Sequence, residues 1–292
     1  MKNEKDGSRL GIIILVAGSL VFIGLASVGV IFISAKLKEN EAAKVEKARQ
    51  NRQALGELTA VTDQINQDLR DKIGKEDAVE GSADKAKQIE EAMGKAASKA
   101  TGDDAKAMLA GQRLMASMQL YIAAYEKAYS AFMAKGGMSP ASVTSHDDLN
   151  DRLALLKTFQ TANQDFLENV KSVEVTYRSE LLKQNVPLAR AGTMARQFCL
   201  GGNIDTIISI RGTDNELCAL MGQGLQLLQR EWGKWKVNEE GVTVFQNTSA
   251  LKSFQDLQSQ IKEVANRQMQ LQQNLQPKPA RPDAAKLLQG RQ

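Results

Sequence analysis

The sequence predicts an all-α protein: a single N-terminal transmembrane helix continuing into an elongated antiparallel helical bundle with coiled-coil-like helices. Three observations carry this. Residues 10–33 are 24 consecutive uncharged positions rich in Ile, Leu, Val, Gly and Ala. Of the five prolines only Pro140 and Pro187 precede residue 277, so little interrupts a helix over most of the chain. Beyond residue 50 the apolar residues recur every three or four positions, the period of one helix face.

Composition narrows the function classes. The chain has 292 residues, 42% hydrophobic and only 5% aromatic, and its 38 Lys plus Arg against 34 Asp plus Glu leave +4 spread along the whole length. A dedicated nucleic-acid binder would carry a distinct basic face, so no nucleic-acid partner is expected. One histidine excludes multi-histidine metal sites.

Residues 1–9 form a short N-terminal tail. Residues 10–33 exceed the roughly 20 apolar positions that cross a bilayer core, and in lipid they must be helical to satisfy their own backbone. The apolar run is longer than the 7–15 residues of a cleaved signal. An uncleaved single-pass anchor, contacting membrane lipid through residues 10–33, is therefore expected. Lys2, Lys5 and Arg9 precede the span, and Lys36, Lys38, Lys44, Lys47, Arg49 and Arg52 follow it. Counted literally this keeps the domain inside, although long domains translocate largely regardless of flanking charge.

Residues 34–73 read as a helical stalk, dominated first by Ala, Glu, Lys, Arg and Gln and then carrying Leu55, Leu58, Thr62, Ile65 and Leu69 near a heptad track. Gly74 is the first break. The bundle is expected over residues 74–276. It opens with a short helix over residues 84–100 and a longer one over 103–135, whose stripe is Leu114, Met118, Ile122, Tyr125, Tyr129 and Phe132. A loop with Pro140 follows, and Ser145-His-Asp-Asp148 fits a capping box. The helix it opens carries Leu149, Leu153, Leu156, Gln160, Asn163, Leu167, Val170, Glu174, Tyr177 and Leu181, a stripe widened by Phe159, Phe166 and Val173 and closed or kinked at Pro187.

A short helix over residues 188–199 is closed by Gly201-Gly202-Asn203. Thr213-Asp-Asn-Glu216 looks like a second capping box, opening a helix that runs from about residue 215 to 237. Residues 241–245 alternate briefly and read as extended. The last helix, about 249–276, has Phe254, Leu257, Ile261, Val264, Gln268, Leu271 and Leu275 at spacings of three and four, with Gln268 as the one polar interruption. Pro277, Pro279 and Pro282 then open an extended basic tail, 277–292.

Cys199 and Cys218, the only cysteines, flank the loop expected over residues 201–212. A disulfide between them would need antiparallel helix ends to bring the sulfurs together. Such a bridge implies an oxidising compartment, which weighs for a periplasmic or other extracytoplasmic domain on a cell (inner) membrane.

No pattern rises to catalysis. His146 lies beside Asp147 and Asp148, but acidic residues at a helix start complement its exposed amides. Phosphate-cradling glycine motifs lack their strand context, and no cofactor or metal site is expected. Trp232 and Trp235, three apart on an expected helix, are the candidate partner contacts. The function expected is a membrane-anchored helical interaction or scaffold protein without catalytic activity, binding a protein partner or itself through helical surfaces. The alternative is a sensory or small-ligand-binding helical bundle acting through a partner.

Overall fold

A computed structural model describes residues 41–72 and 81–274. The expected span at 10–33 and the tail at 277–292 lie outside the described residues. Among those described, no helix is long and apolar enough to cross a membrane. They form eight α-helices, a short 3-10 turn and one small sheet, so the chain is predominantly helical.

The helix expected as a stalk is α1, Glu41–Lys72. It lies along the bundle, burying Ala54, Leu58, Thr62 and Ile65 against α2, Ser82–Lys99. Asn51 ties α1 to the segment that follows α2: its amide donates to the Asp104 carboxylate at 2.6 Å, and its carbonyl accepts from Thr101 N–H at 2.8 Å. The next helix, α3, Gly102–Ala134, follows a two-residue turn and runs antiparallel to α2. Glu90 accordingly meets both Gln112 and Gln119, while Glu126 accepts from the backbone N–H of Gly81 and Ala83 at 2.7 and 3.0 Å. Glu126 thus satisfies two of the exposed amides where α2 begins. Every residue of the expected α3 stripe is buried.

The Ser145 cap forms as the sequence pattern requires. Its hydroxyl accepts from Asp148 N–H at 3.0 Å and opens α4, His146–Lys171. The expected stripe continues past residue 171, but the helix breaks at Ser172 into α5, Val173–Lys183. After Pro187 comes α6, Leu188–Gly201, closed at Gly202 and at Asn203 with φ 50°.

Here the structure departs from the sequence pattern. No loop spans residues 201–212. Instead α7 runs from Ile204 to Arg230, starting eleven residues before the expected position. The β-branched run Ile204-Asp-Thr-Ile-Ile-Ser-Ile210 has modest helix propensity. Ile204, Ile207 and Ile210 nevertheless share one helical face and are buried, and that burial decides the conformation. Thr213-Asp-Asn-Glu216 is therefore mid-helix and caps nothing: Thr213 bonds back to the Ile210 carbonyl, Asp214 pairs with Arg211, and Glu216 pairs with Arg267.

The same shift removes the expected disulfide, because Cys199 and Cys218 are both free. Cys199 sits at the end of α6, beside the start of α7. Cys218 lies fourteen residues into α7, about 21 Å along the axis from Ile204, well beyond bridging range. Burial, with Glu174 and Asp205 adding to it, pushes the Cys199 thiol up to about 12. Burial likewise raises the Cys218 thiol. Neither is a reactive thiolate at neutral pH. Alkylation of the denatured chain without reductant is expected to label both cysteines fully. A second labelling step that succeeds only after reduction would restore the bridge.

The chain closes with strands β1, Trp235–Val237, and β2, Thr243–Phe245, paired antiparallel with Trp235 opposite Phe245. Then α8, Thr248–Asn274, packs on α7. Of its expected seam, Phe254, Ile261, Val264 and Gln268 are buried, and Leu257 and Leu271 half-buried; the side chain of Leu275 lies outside the described residues.

Candidate functional site

Two clusters of polar and aromatic side chains stand apart from the aliphatic core, one closed and one open to solvent. The closed one joins side chains of α3, α4, α7 and α8. Arg211, with no exposed surface, pairs with Asp214 at 3.1 Å and sits over the rings of Tyr125 and Phe166, 4.6 and 5.5 Å from their centres. Asp214 also accepts from Gln268 at 2.5 Å and from the Tyr125 hydroxyl at 3.4 Å. Asn163 on α4 donates to the Arg211 carbonyl and to Asn215, both at 2.9 Å. Gln268 and Asn163, the polar interruptions of two apolar stripes, therefore meet the Arg211–Asp214 pair. Burial pushes the Asp214 carboxyl up against the opposing pull of Arg211. It raises the Tyr125 phenol as well, with Asp214 adding to the effect. These groups are spent on one another and pin α3, α4, α7 and α8 in register.

The second cluster is a groove at the end of the bundle. Trp232 and Trp235 do not share a helix face as expected. α7 stops at Arg230, Gly233 turns the chain at φ 76°, and Trp235 opens β1. The helix ends there because its last carbonyls find other donors. Trp235 Nε1 donates to the Leu228 carbonyl at 2.8 Å, and the Trp232 N–H tightens to the Gln229 carbonyl three residues back at 3.2 Å. The extended stretch at 241–245 was the available signal, since a lone strand needs a partner and residues 235–237 are the nearest candidate.

The tryptophan rings meet edge to face, centres 5.8 Å apart, and Trp232 stands likewise 6.1 Å from His146. With Pro140, Val143, Val237 and Lys236 they line an open groove of about 400 Å³, within the size range of ligand and peptide sites. Trp232 is 39% exposed, and its indole N–H makes no hydrogen bond among the described residues. Val242 and Val244 are exposed on the adjoining hairpin.

The groove wall is held from beneath. Arg152, 1% exposed, donates to the carbonyls of Gly137, Ser139 and Ser142 at 3.2, 3.0 and 2.6 Å and pairs with Asp148 at 2.9 Å. It thereby fixes the 136–143 loop that presents Pro140 and Val143. His146 is exposed on the first turn of α4, where Asp148 serves as cap and as partner to Arg152. The described residues contain no group of three or more His, Cys, Asp or Glu able to hold a metal. Comparison with protein-family models, with curated proteins and with solved structures finds no match.

Proposed function

We propose that the chain is a membrane-anchored helical scaffold that carries out no catalytic step and engages a protein through its tryptophan groove. The observation that carries this is the half-exposed Trp232 in the wall of an open groove shared with Trp235, Pro140, Val143 and Val237. An aromatic anchor of this kind loses its contact with water only when a partner covers it, and such residues dominate binding energy at protein interfaces.

The anchor at residues 10–33 supports the tether on length alone. The extracytoplasmic side leaves the proposal, because its support over the flanking charges was the bridge. Six cations after the span against three before it favour the cytoplasmic side. Reporter fusions after Gln292 test the side. Resistance of the membrane-pelleted chain to alkaline washing tests the anchor.

The interaction is tested by crosslinking and purifying the full chain from membranes. Trp232→Ser combined with Val244→Asp is expected to reduce captured partner at least tenfold while membrane association stays unchanged. Equal capture by the variant, or no crosslinked partner together with a strong thermal shift by a metabolite, would overturn the scaffold reading in favour of a ligand-binding bundle.

A further inference from the structure

We infer that the occupant of the tryptophan groove is the proline-rich C-terminal segment of a second copy of this chain, so that two copies exchange tails; this rests on the scaffold reading of the same groove. The groove has the chemistry that extended proline segments select. Its walls are two edge-to-face indoles and a proline ring, and the Trp232 N–H is available to donate. A polyproline II segment has no internal hydrogen bonds, presents its carbonyls outward and docks in aromatic-lined grooves at little entropic cost. Residues 277–282, Pro-Lys-Pro-Ala-Arg-Pro, read as such a segment.

Charge agrees with this assignment. Glu239 and Glu240 stand exposed at the hairpin tip and form no ion pair among the described residues. The segment carries Lys278 and Arg281 between its prolines. Lys236, which lines the groove itself, sets one opposing positive charge against the two glutamates, so the contribution of charge is small and the indoles and proline ring carry most of the binding.

Reach requires the second copy. Trp235 pairs with Phe245, three residues before α8 opens at Thr248. The 27 residues of α8 then carry the chain about 40 Å away from the groove. From Asn274 the eight residues to Pro282 extend at most about 28 Å. The prolines of one chain therefore fall short of their own groove. Two copies with α8 antiparallel place each segment at the other's groove, a closed two-fold arrangement.

Trp232 and Trp235 are the only tryptophans in the chain, so indole emission reports on this groove alone. The receptor is the full chain in detergent carrying Pro277→Ala, Pro279→Ala and Pro282→Ala, so that its own tails do not compete. The probe is a synthetic peptide of residues 275–292. The expected result is a saturable change in emission, at least tenfold weaker with the three prolines replaced by alanine and lost in Trp232→Ala. Glu239→Lys with Glu240→Lys, which keeps both indoles, should weaken binding about threefold at low salt and less at high salt. The wild-type chain should self-associate and the proline-free chain should not.

No response to the peptide, or an equal response to its alanine version, overturns the inference. A different protein captured through Trp232 in that case leaves the scaffold reading standing. Absence of any Trp232-dependent partner ends both.

Discussion

Asp214→Ala is expected to lower stability by about 3–5 kcal/mol, the usual cost of leaving one member of a buried ion pair without its partner. For a domain of this size that is a fall in Tm on the order of 10 °C. The physical reason is that Arg211 stays fully buried against Tyr125 and Phe166 after its counter-charge has gone. Gln268 and the Tyr125 hydroxyl lose their acceptor in the same step. The double variant Arg211→Met with Asp214→Leu should regain most of the loss, because apolar side chains of similar volume remove both desolvated charges together. Urea denaturation followed by far-UV circular dichroism checks the pair. If both variants lose the same amount, the centre is held by packing rather than by the ion pair.

Arg152→Met is expected to cost a comparable amount, about 3–5 kcal/mol, with its effect concentrated at the groove. Three loop carbonyls lose a charged donor, and Asp148, 6% exposed, keeps Lys135 at 3.4 Å and the Thr144 N–H at 3.2 Å but loses its buried counter-charge. Amide exchange over residues 136–145 should quicken, and tryptophan emission should shift to the red as the groove wall loosens.

The same variant changes the response to acid. Burial pushes the Asp148 carboxyl up, but hydrogen bonds from Arg152 and the Thr144 N–H, together with the positive charge of Arg152 and a contact from Lys135, outweigh it and hold the group below its ordinary value. The unfolded chain therefore binds the proton first, at about pH 3.9. Stability from this group is present above that pH and is lost as the pH falls through the lower folded value. Arg152→Met should flatten that acid limb. An unchanged limb would mean that other carboxylates set it.

Much of the fold was legible in the chain. The α3 stripe from Leu114 to Phe132, the Ser145 cap with its acidic partner, and the break at Gly201-Gly202-Asn203 each depend on neighbours within a turn or two. A local pattern suffices to specify such features. The polar members of apolar stripes were legible as exceptions and no further. Asn163 and Gln268 were visible as interruptions, while their common target, the Arg211–Asp214 pair, lies 48 to 54 positions away along the chain.

The misreadings share one cause. Thr213-Asp-Asn-Glu216 has the form of a cap, and only the burial of three isoleucines ahead of it turns it into mid-helix. That single shift carried Cys218 about four turns from Cys199 and removed the bridge. The tryptophans stood out in the sequence as candidate partner contacts, but their hairpin depends on a strand pairing that short runs leave ambiguous.

By itself the sequence determined the helical class, the periodic faces and the ends marked by glycine, proline and a capping serine, because these follow from backbone energetics and 3.6-residue periodicity. Tertiary structure alone decided which polar residues meet in the interior, that the cysteines stay apart, and that Trp232 and Trp235 form one wall of a groove with Pro140 and Val143. Those outcomes depend on desolvation and packing between segments far apart in the chain, where the same local residues are compatible with more than one arrangement and burial selects among them.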